Sequence, residues 1–272
     1  AKRARWLMAL YFVERTYAIF TSQDLLHWEL LQKFDLPGDD ECPDLYPLTA
    51  DDGRTLWVYS GAHDMYFVGD FDENGLYQPI QSVGQLSYNS QSYAAQTYYY
   101  EPGKPVIRFA WNRSDIPGAP FNGSMCTPTE MTLKKHGDRY YLSALPIKST
   151  ENLVVKSDKL DDFTLTHCTH ELGSKTCRIS FTVKEGDLTC DLYGLEMKLD
   201  KNGLICGESI LPRLKNEPMK VDIITDTNSV EIYLNGVANT VIAHVLDETK
   251  PTFTIHAEDP VEVQNLTVSE LS

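Results

Sequence analysis

Apolar and polar positions alternate along this chain in short runs, each closed by residues that favour turns. "ARWLMALYF" (4–12), "TYAIFTS" (16–22), "HWELLQKF" (27–34), "TLWVYSG" (55–61), "MYFVGDF" (65–71), "AAQTYYY" (94–100) and "VIRFAW" (106–111) carry the two-residue period and aromatic content of strands. Between them lie "LPGDD", "ADDGR", "DENG", "EPGK" and "IPGAP". There Gly supplies positive φ, Pro pre-sets φ, and Asp or Asn bonds back to its own backbone. No stretch of a dozen residues holds a 3.6-residue apolar period, although "SQDLLHW" (22–28) reads as one helical turn. The chain is expected to be all-β.

The texture changes near residue 150. Beyond it the strands are aliphatic and Thr-rich: "CRISFTV" (177–183), "LTCDLYGLEMKL" (188–199), "KVDIITDT" (220–227), "SVEIYLNG" (229–236), "TFTIHA" (252–257) and "VEVQNLTV" (261–268). Even strands with tight turns predict a β-sandwich. A boundary at "IKSTEN" (147–152) divides the chain into 1–148 and 149–272. Within "DTNSVEIYLNG", Asp226, Asn228 and Asn235–Gly236 are expected to make turns, with Val230, Ile232 and Leu234 pointing inward.

Composition narrows the partners. The net charge of −15, from 24 basic and 39 acidic residues among 272, repels phosphate backbones, and no basic stripe offers a nucleic-acid footprint. No apolar run approaches the roughly 18–20 residues of a membrane span. The opening "AKRARWLMALYFVER" is basic but meets Glu14 and Arg15 too early for a signal peptide. The 6 cysteines form no C-x-x-C pair, so neither a zinc site nor a disulfide scaffold is expected. Spacing leaves a Cys168–Cys177 or a Cys190–Cys206 bridge open. In "HCTH", His167 and His170 fall on opposite faces of a strand, which favours surface residues over metal ligands. No cofactor or metal is expected.

"LPGDDECPDLYPL" (36–48) sets Glu41 among Asp39, Asp40 and Asp44, beside Cys42 and Pro43. By itself the stretch reads first as a solvated acidic turn between strands, with a rigidly held carboxylic acid as the sharper alternative. Three segments in order bear on that choice: "IFTSQDLLHWELLQKF…ECPDLYPL", "SYAAQTYYYEPGKPVIRFAWNRSDIPGAPFNGSMCTPTEMTLKK" and "DTNSVEIYLNG". Together they cover most of residues 5–270 and resemble the invertases, levanases and inulinases, the β-fructosidases of glycoside hydrolase family 32. A lone "ECPD" is a weak signal; the ordered set is specific.

The resemblance implies a five-bladed β-propeller with a β-sandwich behind it, of which this chain would hold about the last two and a half blades and the sandwich. It also implies a retaining reaction on a fructan or sucrose, with Glu41 as general acid/base. Such chemistry needs a second, ionised carboxylate about 5–5.5 Å from the acid. Tyr93 in "SYAAQ" matches a family tyrosine facing the fructosyl pocket, with core packing as the alternative. Trp111 is expected as an aromatic wall or as core, and Arg113 as a donor to sugar hydroxyls or to a carboxylate. Cys42 offers a weak donor beside the acid, and Asp44 is read as fixing the loop. The sequons at Asn112, Asn122 and Asn265 matter only where the source glycosylates its proteins.

The departures carry information too. The family's nucleophile lies in "NDPNG" and its transition-state aspartate in "RDP"; the 272 residues contain neither. The opening "AKRARWLMALYF" resembles the strand after "RDP", so the chain is expected to begin inside the third blade. The covalent route is then closed to these residues alone unless a carboxylate such as Asp39 or Asp115 takes the nucleophile's place. "YNSQSYAAQ" lacks an acidic residue that many relatives carry before the tyrosine. Missing N-terminal blades or self-association are the expected partners. The alternative function is a carbohydrate-binding or structural remnant without activity, and an unrelated all-β adhesion module comes third. Export is slightly favoured over a cytoplasmic location.

Overall fold

A computed structural model describes residues 5–13, 15–98, 101, 103–115, 118, 120–244, 246–247 and 249–272. The basic start at 1–4, the end of the strand expected at 94–100 and most of the "IPGAP" turn lie outside the described residues. Apart from one short 3-10 helix, Lys148–Leu153, the regular structure is β. The chain folds into two compact units. The first is Ala1–Ser87, Tyr93–Trp111 and Pro128–Ala144; the second is Tyr88–Ser92, Asn112–Thr127 and Leu145–Ser272.

Three antiparallel sheets follow one another in sequence. β1 (Trp6–Val13), β2 (Thr16–Ser22) and β3 (Glu29–Asp35) form the first, in that order. The second runs β4 (Asp44–Thr49), β5 (Thr55–Ser60), β6 (Met65–Phe71) and β7 (Tyr77–Pro79), with β8 (Gly84–Gln85) also on β6. The third comprises β9 (Ser92–Thr97), β10 (Val106–Asn112), β11 (Ser124–Met125), β12 (Thr129–His136) and β13 (Arg139–Pro146), in the order β11-β10-β12-β13 with β9 on β10. The period-2 pattern of the second sheet serves both its faces. Tyr59 joins Tyr17, Ile19, Leu36 and Tyr77 in one core, while Val58, Val68 and Tyr66 join Val106, Met131, Leu133 and Leu142 in another. Edge-to-face rings seal the first core, with centroids 5.6 Å apart for Tyr17–Tyr59 and 4.7 Å for Phe34–Tyr59.

The second unit is built on one sheet, β14 (Val154–Lys159) to β24 (Thr252–Leu271). Along it, β20 (Ser209–Pro212), β19 (Gly203–Cys206), β18 (Leu195–Asp200) and β17 (Leu188–Leu192) lead to β24. Beyond come β16 (Cys177–Val183), β21 (Met219–Asp226), β22 (Ser229–Leu234) and β23 (Ala238–Ala243), and β15 (Phe163–Glu171) also pairs with β24. The two strands expected at 252–257 and 261–268 are one 20-residue strand. Its first half pairs with β15 and β17, and its second half with β14 and β16. Side chains from both sets meet in one core, including Ile179, Leu192, Met197, Ile223, Ile232 and Ile255.

Other expectations are corrected by the backbone. "SQDLLHW" is not a helical turn. Leu25 lies at φ +66, and the Asp24 carboxylate accepts the Leu26 and His27 N–H groups at 2.9 and 2.8 Å. "LTCDLYGLEMKL" is a hairpin, turned by Tyr193 and Gly194 at φ +52 and +83. β22 is buried on both faces. Val230, Ile232 and Leu234 point into the core as expected, and on the other side Glu231 accepts the Thr127 N–H at 2.8 Å and the Tyr233 hydroxyl at 2.6 Å. Asn235–Gly236, at φ +53 and +72, makes the tight turn after it.

All 6 cysteines are free thiols, so neither Cys168–Cys177 nor Cys190–Cys206 is bridged. Asn112 is 1 % exposed, and its side chain bonds Ser114 and Ser124, which closes that sequon to a glycan. Among the described residues, no helix is long and apolar enough to cross a membrane.

Candidate active site

Glu41 stands on the turn that connects β3 to β4. The turn begins at Pro37–Gly38, with Gly38 at φ +84 and the Asp39 N–H on the Leu36 carbonyl at 3.1 Å. Glu41 and Cys42 then both take left-handed backbone, at φ +62 and +39. For side chains other than Gly this conformation costs about 1–3 kcal/mol at each position, so surrounding structure must hold it. The sequence suggested a turn here, without its backbone conformation. The two left-handed residues leave Glu41 exposed while Asp39 turns inward to 2 % exposure.

Four tethers hold the turn. The Asp39 carboxylate accepts the backbone N–H groups of Asp40 (2.8 Å), His63 (3.0 Å) and Met65 (3.0 Å), which ties it to the β5–β6 connection. The buried Tyr17 hydroxyl donates to the Glu41 carbonyl at 2.9 Å. Gln96 Nε2 donates to the Cys42 carbonyl at 3.0 Å. Asp44 opens β4 and accepts the Thr97 N–H at 2.6 Å and its neighbour Leu45 N–H at 2.9 Å. Asp44 therefore fixes the loop, as read from the sequence, and burial pushes its carboxyl up against those hydrogen bonds. Burial likewise pushes Asp39 up, opposed by the His63 and Met65 N–H groups. Enclosed and bonded in this way, Asp39 is not placed to attack a sugar, and Asp115 is an exposed side chain.

The Glu41 carboxylate has a partner of its own. The Tyr93 hydroxyl donates to its Oε2 at 2.6 Å, the short distance of a charge-assisted O–H···O bond. That bond, more than burial, pushes the Tyr93 phenol up to about 12. The rings of Tyr93 and Trp111 lie edge-to-face with centroids 6.5 Å apart, and Trp111 is 44 % exposed. Trp111 therefore forms a surface beside Tyr93 and is not core. Cys42 is half-buried; burial raises its thiol, with Glu41 and Asp39 adding to the effect. Arg113 belongs to the second unit. There its Nε and Nη2 both donate to the Ser90 carbonyl, at 2.9 and 2.6 Å, and its N–H bonds the Gln91 carbonyl.

Sequence reasoning missed His63, Gln96 and Tyr17. His63 lies in "GAHD", a turn with no period to read, and Tyr17 is one core aromatic among many. Only spatial proximity to Glu41 distinguishes them. His63, Asp39 and Asp40 are close enough to share a cation, but the cluster's hydrogen bonds account for it without one.

Known proteins resemble this chain in sequence and in fold. The chain is 28% identical over 176 residues to a fructan beta-fructosidase of Streptococcus mutans, which covers 55% of this chain and 12% of that protein. It is 26% identical over 217 residues to levanbiose-producing levanases of Bacillus subtilis and Geobacillus stearothermophilus, covering 71% of this chain and 40% and 53% of theirs. Thus the chain spans at most about half the length of these curated relatives. In fold it resembles an exo-inulinase from Aspergillus awamori, with a TM-score of 0.78 at 18% identity over 98% of this chain and 65% of that one. A beta-fructofuranosidase from Schwanniomyces occidentalis gives 0.77 at 20% identity, over 98% and 67%. The family model "Glycosyl hydrolases family 32 N-terminal domain" matches residues 2–144, which include the Glu41 turn, Tyr93 and Trp111, and the chain belongs to glycoside hydrolase family 32.

Proposed function

We propose that the Glu41 turn is the acid/base side of a retaining β-fructosidase site that releases fructose from fructans or sucrose. One observation carries the reading. An exposed carboxylate takes a 2.6 Å bond from Tyr93 while its backbone is held in a strained conformation by groups on three other segments. A solvated turn needs none of that restraint; a proton donor that must meet a glycosidic oxygen within a few tenths of an ångström does.

In this reading Glu41 protonates the departing oxygen as a second carboxylate attacks the anomeric carbon, then takes a proton from water to release fructose. The sequence holds neither "NDPNG" nor "RDP", so the attacking carboxylate comes from chain beyond these residues. Tyr93 orients the acid, Trp111 gives the sugar ring an apolar wall, and Cys42 tunes the acid from the next position. The three sheets of residues 1–148 are parts of propeller blades, and 149–272 is the sandwich. Exposed Trp6, Leu10 and Phe12 on one face of β1 fit a blade whose neighbour is supplied by further blades or by another copy.

Glu41→Gln in a fructose-releasing form of the protein tests the assignment. The expected result is a fall in kcat of about 10²–10⁴-fold on levan, inulin or sucrose. Undiminished release by Glu41→Gln would remove Glu41 from the role.

A further inference from the structure

Beneath the acid, hydrogen bonds and ring packing close into a circuit. Asp39 lies two residues before Glu41 and accepts from His63 through both its N–H and its ring, Nδ1 standing 3.2 Å from Oδ1. A carboxylate partner selects the tautomer with the proton on Nδ1 and fixes the plane of the imidazole. That imidazole meets Tyr93 edge-on, with centroids 4.8 Å apart and planes inclined at 67°. The backbone holds the two residues in register. The Ala94 N–H bonds the Ala62 carbonyl at 2.9 Å, and Ala94 sits at φ +52 within β9, directly after Tyr93. Tyr93 completes the circuit by donating to Glu41.

We propose that His63 is a positioning residue for Glu41: bonded to Asp39, its imidazole braces the Tyr93 ring and keeps the phenol hydroxyl on the Glu41 carboxylate. The inference rests on Glu41 being the acid/base, and His63 itself transfers no proton. It is 37 % exposed at the side chain, and besides Asp39 it faces the Asp40 carboxylate at 3.6 Å. The ionisable groups around the phenol are Glu41, Cys42 and Asp40.

The phenol reports on the brace directly. In ¹³C-tyrosine NMR of this chain from about pH 8 to about pH 11, wild-type Tyr93 stays protonated, because its bond to Glu41 holds it near 12. Glu41→Gln removes the charge and brings Tyr93 toward its ordinary value of about 10. His63→Ala is expected to match Glu41→Gln, and the double variant to go no lower, since both act through one hydrogen bond. His63→Phe, which keeps a ring edge but loses the Asp39 bond, should fall between wild type and His63→Ala. An unshifted Tyr93 in His63→Ala, or a Phe variant equal to Ala, overturns the proposal. His63→Leu stands in if the Ala variant does not fold, with the same expectation. Loss of fold in both makes His63 a packing residue and also overturns it.

In a fructose-releasing form, His63→Ala should lower kcat on a fructan roughly tenfold more than on a nitrophenyl β-fructoside, whose leaving group needs no proton. Full activity in Glu41→Gln would end the acid assignment and leave the phenol result standing. Equal losses on both substrates would end the role of His63.

Discussion

At position 61 a Cβ would lie 2.5 Å from Asp39 Cγ and 2.6 Å from the Tyr17 hydroxyl oxygen. Both are fixed groups, and both restrain the Glu41 turn, so this glycine sets how closely the two segments approach. Gly61→Ala should destabilise the protein by about 1–3 kcal/mol through overpacking, read from the denaturant midpoint. It should also weaken the Tyr93–Glu41 bond, seen as a lower phenol titration. A second residue-scale expectation concerns the thiols. Burial pushes Cys177 and Cys206 up from 9.0 to about 11 each, so the folded protein keeps them unionised where the unfolded chain loses their protons. Their contribution to stability is complete below pH 9.0 and is lost as pH rises toward about 11. Thermal unfolding between those values should show a falling midpoint that flattens when both are replaced by Ala. "GAHD" and two scattered cysteines give no hint of either effect, because each depends on atoms brought close from distant positions.

Single strands are easier to read than their connections. β2, β6 and β16 coincide with the apolar-polar runs at 16–22, 65–71 and 177–183, since an alternation of side chains is a local property of the chain. The hairpin at 188–199 and the long β24 depart from the runs that mark them, because continuity of a strand is decided by its partners. Connections between elements carry their own cost. The Arg108 guanidinium on β10 grips Asp64, at the turn before β6, with Nε to Oδ1 at 3.0 Å and a second bond from Nη2 to Oδ2. Both side chains are almost removed from solvent, at 5% and 4% exposure. Asp64→Ala takes away the bidentate partner of a buried cation and should cost roughly 3–5 kcal/mol. Arg108→Met added to Asp64→Ala should recover part of that loss in the same denaturation assay, since no unpaired charge is then left buried.

Across the whole molecule, one apolar face stands largely open among the described residues, with Lys33 Nζ over the Phe12 ring at 3.7 Å. Trp6, Leu10 and Phe12 are 55%, 37% and 47% exposed at alternate positions of β1, which is an edge of its sheet, and Leu30 on β3 adds 50%. An edge strand with an apolar face invites pairing with another chain. The 272-residue chain should therefore show a sedimentation coefficient that rises with concentration. Phe12→Glu with Trp6→Glu should return it to monomer. An unchanged coefficient in wild type would mean that the face is tolerated in water.

The sequence by itself determined the β class, the change of texture near residue 150 and the family, because alternation and ordered motifs are local and survive without coordinates. It also singled out Glu41, Tyr93 and Trp111, but not how they meet. Only the tertiary structure decided that Glu41 faces outward on left-handed backbone, that Asp39 is a tether, and that His63 stands against Tyr93. The reason is physical: a strained backbone and a short hydrogen bond exist only where residues as far apart as 17, 39, 63 and 93 are packed together, and no window of sequence contains them all.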